Sequence, residues 1–166
     1  MAIQHGDNAR NVMCNAVVNL IDSGATAGVL RIIDESKGTK YVSGNTGLDL
    51  TDTSVPEPGS GTWTEYIAEL AFSTPKAFYN AGEPNEDGSI GGRCGTAHAR
   101  AVTEDDDCNS GTASHFEIVD GDGNLIMNGD ITVQSQVPPG DILLTSVGIA
   151  EGDTIAIRNL SYTCAP

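Results

Sequence analysis

Apolar residues near the start of the chain recur at helical spacing. In the stretch DNARNVMCNAVVNLIDS they occupy positions i, i+1, i+4, i+5, i+8 and i+9, namely Val12, Met13, Ala16, Val17, Leu20 and Ile21. This spacing gives one apolar face of an amphipathic helix, which we predict over residues 8–23. Asp7 or Asn8 can accept the free amide hydrogens at its start, and Gly24 can adopt the left-handed conformation that ends it.

Most of the chain after this helix is typical of short β-strands separated by polar loops. Val29–Ile33 is rich in β-branched residues and is bounded by a glycine and a polar run, and residues 40–42 fit a second short strand. Residues 98–103 are a further candidate strand. The stretches 44–61 and 82–95 are rich in glycine and polar residues, which predicts long surface loops.

One apolar segment fits two kinds of secondary structure. In WTEYIAELAF, residues 63–72, the set Trp63, Tyr66, Ile67, Leu70 and Ala71 has helical spacing, while Tyr66, Ala68, Leu70 and Phe72 alternate as in a strand. Periodicity alone therefore leaves both alternatives open.

Strand patterns are clearest in the last third of the chain. Phe116 and Ile118 show the alternation of a strand that leads to the turn sequence DGDGN at 120–124. Residues 125–128 are predicted as the second strand of this hairpin. Further strands are predicted at 131–134, at 142–144 after a Pro-Pro-Gly turn, and at 155–164 with a bulge near Arg158 and Asn159.

These elements together predict a mainly β fold. Several short strands with turn signals between them favour an antiparallel β-sandwich or jelly roll with one N-terminal amphipathic α-helix. A length of 166 residues with 39% hydrophobic content suits one core, so we predict a single domain over 1–166 with an N-terminal arm at 1–7.

Charge restricts the partners that this domain can have. Lys and Arg total 8 against 23 for Asp and Glu, a formal net charge of -15, which argues against binding to nucleic acid or to anionic membranes. The same charge makes copies repel one another unless cations or a basic partner surface screen it. No apolar run is long enough for a membrane span, and the N-terminus lacks a basic stretch followed by an apolar one, so we expect neither insertion nor Sec export.

The DGDGN sequence has two possible meanings. Asp120, Asp122 and Asn124 are spaced as at the start of a calcium loop, but an EF-hand needs Gly at its sixth position and Glu at its twelfth, where this chain has Leu125 and Ile131. Glycine and Asp side chains also close hairpin turns. We therefore predict a hairpin turn and no metal ligands.

No constellation of residues predicts catalysis. The acidic run Glu104–Asp107 is contiguous, so its carboxylates point in different directions, and His5, His98 and His115 are scattered. Ser114 and His115 are neighbours, and neighbours on a strand face opposite sides and share a proton poorly. We predict a protein that is not an enzyme, with no catalytic, cofactor-binding or metal residues and no cofactor.

Three further features of the sequence bear on binding. The glycine-rich run at 88–95 matches no phosphate-binding loop, and Asn159-Leu160-Ser161 is a formal glycosylation sequon without an export signal. Aromatic residues that could line a sugar-binding face, but are more often core or interface residues, are Tyr41, Trp63, Tyr66 and Tyr79.

Four cysteines lie far apart in the sequence and form no CxxC pair. Pairing Cys94 with Cys108 would close a short acidic loop, and pairing Cys14 with Cys164 would tie the two ends of the sequence. Four separate thiols are the alternative expected in a reducing cytosol. The sequence leaves these possibilities open.

Several segments, in this order, resemble a family of small structural proteins encoded by tailed bacteriophages and prophages. They are NARN at 8–11, GVLRI at 28–32, ELAFS at 69–73 with Pro75 and Phe78, GTASHFEIVD at 111–120 with Gly123 and Asn124, and GDT at 152–154 through LSYT at 160–163. Members of the family have a SNAARNA-type helix, an ATLTFSDPAF-type strand, a WFRI-DSDGN hairpin and an SFTYT-type final strand.

The resemblance implies a strand at 65–72 and a role as a capsid decoration, or cement, protein on the virion exterior. It implies the major capsid protein as partner, a homo-oligomer, and synthesis in the cytoplasm of the host bacterium, with residues 1–7 and the two long loops as candidate contacts. His115 in place of the usual tryptophan, the long loops and the cysteines depart from the family pattern. A tail- or fibre-associated carbohydrate-binding β-sandwich is the alternative.

Overall fold

A computed structural model of the chain describes residues 5–34, 66–83, 95–135 and 140–164. Helix α1 (Asp7–Val18) is followed by strands β1 (Val29–Ile33), β2 (Tyr66–Ala71), β3 (Phe78–Tyr79), β4 (Thr96–Ala99), β5 (Gly111–Thr112), β6 (His115–Val119), β7 (Leu125–Val133), β8 (Ile142–Leu144), β9 (Gly148–Ile149) and β10 (Ser161–Thr163). The prediction of a mainly β fold with one N-terminal helix is confirmed for the described residues.

The strands form a five-stranded sheet in the order β2-β1-β6-β7-β8, a three-stranded sheet β10-β4-β3 and a two-stranded sheet β5-β9. Strand β1 pairs antiparallel with β2 on one side and with β6 on the other. The predicted hairpin at DGDGN is confirmed, because β6 and β7 pair antiparallel on either side of it.

The expectation of a purely antiparallel architecture is wrong at one edge of the large sheet, where β8 runs parallel to β7. Asp141 holds this arrangement together. Its backbone N–H donates to the carbonyl oxygen of Asp130 at 3.0 Å, and its side chain accepts from the N–H of Asp130 at 3.2 Å. The chain therefore re-enters the sheet beside β7 in the same direction, rather than turning back as a hairpin.

The hydrophobic core lies on one face of the large sheet. Leu30 in β1 stands opposite Leu70 in β2 and Ile118 in β6, and all three side chains are buried. The next core position, Ile32, stands opposite Phe116. Because a shift of one residue would move this apolar row to the other face of the sheet, core burial fixes the strand register.

Strand β2 lies in the segment for which sequence periodicity allowed either a helix or a strand. Residues 66–71 are extended and paired with β1, as the family resemblance implied. The candidate strand at 98–103 is shifted, because β4 spans Thr96–Ala99 and Val102 makes only an isolated bridge with Phe72. Residues 40–42, also predicted as a strand, lie outside the described ranges.

The predicted strand at 155–164 is not continuous. Ile155 forms an isolated antiparallel bridge with Asp105, whereas β10 (Ser161–Thr163) pairs with β4. The two parts of the segment thus pair with different partners, and a bulge at Arg158 and Asn159 is not what separates their apolar faces. The side chains follow two different ladders, which is why their alternation changes parity.

Helix α1 is shorter than predicted. It begins at Asp7, with Gly6 in extended conformation as its N-cap, and it ends at Val18 instead of Ser23. Two i to i+3 hydrogen bonds, from Leu20 and Ile21, tighten the chain after its end. The predicted caps are therefore wrong at both ends, because Gly6 replaces Asp7 or Asn8 and the left-handed glycine, Gly24, lies well beyond the helix.

Polar side chains attach the helical segment to the rest of the fold. Asn11 Oδ1 accepts from the N–H of Gly95, Asn15 Oδ1 from that of Ala81, and Asp22 Oδ1 from that of Ala77, each at 2.7 Å. Cys14 and Val18 are buried on the same side of the helix. The side of α1 that packs against the three-stranded sheet thus combines the amides of Asn11 and Asn15 with buried Cys14 and Val18, and most of the predicted apolar face lies outside this contact.

We predict that replacing Asn15 with alanine lowers the free energy of unfolding by about 1–3 kcal/mol, because the N–H of buried Ala81 would lose its partner. Asn8→Ala is the matched control, since Asn8 is exposed on the same helix and the same side chain is removed. Urea unfolding of both variants provides the measurement. Equal effects of the two substitutions would contradict this account of how α1 is anchored.

Candidate interaction surface

The apolar face predicted for the helix is largely directed to solvent. Val12 is 62% exposed and Leu20 is 50% exposed, and Ala16 between them is also exposed. Val12 and Ala16 lie in α1, and Leu20 lies in the turn just after the helix; we call these three residues the α1 row. Of the apolar residues in the predicted face, only Ile21 is fully buried.

The spacing of the α1 row suits binding in an apolar groove of a partner. Its members recur every four residues, and Met13 and Val17 flank them half-buried. An amphipathic helix that binds in a hydrophobic groove presents anchors at this spacing. Single exposed apolar residues are ordinary on protein surfaces, but three of them along α1 and the turn after it give a partner a directional apolar contact.

The other large apolar side chain that is well exposed in the described ranges is Leu143, at 45%. It lies in β8, an edge strand of the large sheet, whereas α1 packs against β4 and β10 of the three-stranded sheet. Leu143 therefore offers a natural reference position when the α1 row is tested.

The DGDGN turn is built around the carboxylate of Asp120. Its Oδ1 accepts from the N–H groups of Asp122 and Asn124, at 3.0 and 2.8 Å, and its Oδ2 accepts from the Asn124 side-chain amide at 2.9 Å. Burial by itself raises the pKa of Asp120, but these hydrogen bonds outweigh it and lower the pKa below its ordinary value. Asp120 thus uses both oxygens to close the turn.

The same turn packs against the chain just before β1. The Thr26 hydroxyl donates to the carbonyl oxygen of Gly121 at 2.7 Å, and the N–H of Gly121 donates to Ser23. A Cβ at position 121 would lie only 2.0 Å from the Thr26 carbonyl oxygen, so only glycine fits there. The turn is therefore a packing element of the fold.

The acidic run Glu104–Asp107 also has a structural role. Asp105 Oδ2 accepts from the N–H of Glu69 in β2 at 2.8 Å, while its Oδ1 accepts from the N–H of Asp107 at 3.1 Å. The N–H of Asn109 donates to Ile67 in the same strand. Residues 105–109 thus line the outer edge of β2, and the described residues contain no group of three or more His, Cys, Asp or Glu positioned to hold a metal ion.

The prediction that Ser114 and His115 point apart is wrong. Ser114 precedes β6 and so escapes strand alternation, and its Oγ lies 3.1 Å from His115 Nδ1. His115 Nε2 in turn lies 3.1 Å from a carboxylate oxygen of Asp130 in β7. However, the Ser114 hydroxyl donates to the carbonyl oxygen of Ile33 at 3.3 Å, so it is not directed to give its proton to the imidazole.

Sequence reasoning also missed a polar row across the centre of the large sheet. Arg31 in β1 stands opposite Glu69 in β2 and buried Glu117 in β6. Its Nε donates to a Glu69 carboxylate oxygen at 2.8 Å, and its guanidinium lies 4.3 Å from the ring centroid of Tyr66. Only the strand register brings these residues together, since Arg31 and Glu69 are distant in sequence.

Two of the candidate sugar-binding aromatics, Tyr66 and Tyr79, each pack against an arginine side chain. Tyr66 carries Arg31 over its ring, and Tyr79 carries Arg100 at 4.0 Å from its ring centroid. One face of each ring is therefore covered by a guanidinium group, which leaves less surface for stacking on a sugar. Trp63 and Tyr41 lie outside the described residues.

The other sequence candidates are dispersed through the described part of the fold. His5 precedes α1 and His98 lies in β4, while Asn159 of the sequon is exposed before β10. Cys14, Cys108 and Cys164 are free thiols, whereas Cys94 and most of the glycine-rich run at 88–95 lie outside the described ranges. None of the helices described is long and apolar enough to cross a membrane.

Comparison of the chain with protein-family models, with curated proteins and with solved structures found no match in any of the three.

We predict that Asp120→Asn lowers the free energy of unfolding at neutral pH by about 2 kcal/mol, because an amide cannot accept all the hydrogen bonds of the carboxylate. Asp122→Asn is the control, since Asp122 is exposed and makes only a 3.4 Å contact with Ala25. Urea unfolding measures both effects.

The contribution of Asp120 to the free energy of unfolding should decrease as the pH falls. Because its pKa is lower in the folded state, the stabilisation is complete above the unfolded pKa, near 3.8, and is lost as the pH falls through the folded pKa. The difference between wild type and Asp120→Asn should therefore shrink below about pH 4. A difference that stays constant down to strong acid would contradict this role for the carboxylate.

Proposed function

We propose that this protein is a non-enzymatic capsid decoration protein of a tailed bacteriophage, which binds the outer surface of the major capsid lattice and stabilises the head. The α1 row is the observation that carries the proposal, because it is an exposed apolar contact surface held by a firmly anchored helix. The resemblance of the chain to virion structural proteins supplies the identity of the partner. In this proposal the large and small sheets form the two layers of a β-sandwich that carries the helix.

The α1 row binds an apolar groove between or on capsid subunits. Val12 and Leu20 keep half or more of their surface open in the free protein, so their burial releases water from both partners. Burying the exposed part of each side chain contributes about 1 kcal/mol. Such a contact is modest for one copy, but copies that also associate with each other on a regular lattice bind about a hundredfold or more tightly through avidity.

The acidic surface sets the conditions for assembly. At a net charge of -15, neighbouring copies repel each other, so a homo-oligomer on the capsid needs cations or a basic partner surface between its subunits. The charge also keeps the protein away from the packaged nucleic acid and from membranes, as expected for a protein of the virion exterior made in the bacterial cytoplasm.

The direct test uses capsid shells assembled from the major capsid protein of the phage or prophage that encodes this chain. The purified chain should co-sediment with these shells, and Val12→Gln combined with Leu20→Gln should weaken binding about tenfold or more, because two apolar anchors are lost. Glutamine is uncharged and forms helices at least as readily as valine, so the substitutions leave the net charge unchanged and do not weaken α1.

Leu143→Gln is the matched control for this test, since it removes a similarly exposed apolar side chain from a different element. It should bind shells as the wild type does. Absence of wild-type binding, or recovery of the chain only in tails of purified particles, would overturn the proposal. Equal weakening by both sets of substitutions would show that the α1 row is not the contact.

We also predict that self-association increases with ionic strength. Raising salt from about 0.01 M to 0.5 M shortens the Debye length from about 30 Å to well under 10 Å and so reduces repulsion between acidic copies. Sedimentation velocity at a fixed protein concentration should show a shift toward larger species at high salt. A monomer that persists at both salt concentrations would contradict homo-oligomer formation by the chain alone.

A further inference from the structure

Two cysteines that are far apart in sequence meet where α1 packs against β10. The Cys14 thiol, fully buried in α1, donates to the carbonyl oxygen of Tyr162 at 3.5 Å. Cys164 directly follows β10 and is held in place by its own N–H, which donates to the carbonyl oxygen of Gly95 at 2.8 Å. Tyr162 and Cys164 are two residues apart at the end of this strand, so their side chains share one side of the chain.

The electrostatics of the cluster reflect this proximity. Burial raises the pKa of the Cys14 thiol most, backbone N–H groups of Ala97 and Cys164 lower it, and the charge of Cys164 raises it. Burial likewise raises the pKa of Tyr162, as do the charges of both thiols and a hydrogen bond with the Cys164 side chain. The Cys164 thiol therefore lies close enough to both Cys14 and Tyr162 to contribute to the pKa of each.

We propose that Cys14 and Cys164 form a redox pair that closes into an intrachain disulfide when the protein meets a small disulfide such as oxidised glutathione. Cys164, which is half-buried, is the entry point, whereas Cys14 is closed to solvent. This inference stands independently of the proposed function.

The reaction consists of two thiol–disulfide exchanges. The Cys164 thiolate attacks one sulfur of the small disulfide, which forms a mixed disulfide and releases one glutathione thiolate. The Cys14 thiolate then attacks the Cys164 sulfur and releases the second glutathione. The protein loses two electrons and two protons, and the small disulfide takes up both and becomes two thiols.

Cys108 provides the internal contrast. It is 1% exposed, its thiol donates to the carbonyl oxygen of Asp105 at 3.6 Å, and burial together with the nearby acidic residues raises its pKa. A buried thiol among carboxylates reacts slowly with disulfides. Cys108 should therefore stay reduced under conditions that oxidise the pair.

The disulfide would fasten α1 to β10 and close a loop of about 150 residues, which restricts the unfolded chain. In a reducing cytosol the pair remains as thiols, and transfer to an oxidising medium closes it. The folded domain thereby becomes more stable after it leaves the compartment in which it is made.

Peptide mapping of the wild-type chain gives a direct test, because trypsin cleavage after Arg or Lys places every cysteine in its own peptide. The cysteine-containing peptides cover residues 11–31, 94–100, 101–158 and 159–166. After treatment with oxidised glutathione and alkylation, peptide 11–31 should be linked to 159–166, and peptide 101–158 should carry an alkylated Cys108. A link between any other pair of peptides, or stable glutathione adducts with no link, would overturn the proposal.

Thermal unfolding supplies a second readout. Oxidation should raise the Tm of wild type and of Cys108→Ser by about 5–15 °C, and reduction should reverse the rise. Cys164→Ser, at a half-buried position, should show no such rise. An equal rise in Cys164→Ser would show that another cysteine causes the stabilisation and would refute the pairing.

Discussion

The orientation of α1 depends on three hydrogen bonds that backbone N–H groups donate to side-chain oxygens of the helix and of the turn that follows it. Asn11, Asn15 and Asp22 accept from residues 95, 81 and 77, so they satisfy donors that would otherwise be left unpaired in a partly buried interface. An unpaired buried donor costs more than the exposure of a few apolar atoms. The helix therefore packs through the side that carries Asn11 and Asn15 together with buried Cys14 and Val18, and it leaves Val12 and Ala16 in solvent.

This single orientation connects the two proposals made for the molecule. The side of α1 that carries Asn11 and Asn15 also carries Cys14, which is buried against β10 close to Cys164. Val12, on the solvent side of α1, and Leu20, just after the helix, remain open to a partner. A helix rotated to bury its apolar row would lose the thiol pair and the contact surface together.

Local patterns predicted the local elements well. Alternation and β-branching identified Val29–Ile33, and the DGDGN turn identified the β6–β7 hairpin, because the strands and the turn lie within one short stretch. The α1 row was visible as an apolar face, but its exposure was not predicted. The sequence indicates the buried side of the helix through Asn11 and Asn15, which are four residues apart and so lie on one side of it. Their side-chain oxygens can accept hydrogen bonds from buried N–H groups.

The sequence alone determined a mainly β chain with an N-terminal helix, a strongly acidic surface and a turn centred on Asp120. Hydrophobic periodicity, net charge and turn chemistry are properties of neighbouring residues, so they can be read without a fold. Only the tertiary structure decided that β8 lies parallel to β7, that Ser114 contacts His115, and which face of α1 is buried. These depend on hydrogen-bond partners and strand register contributed by distant segments, which no local pattern specifies.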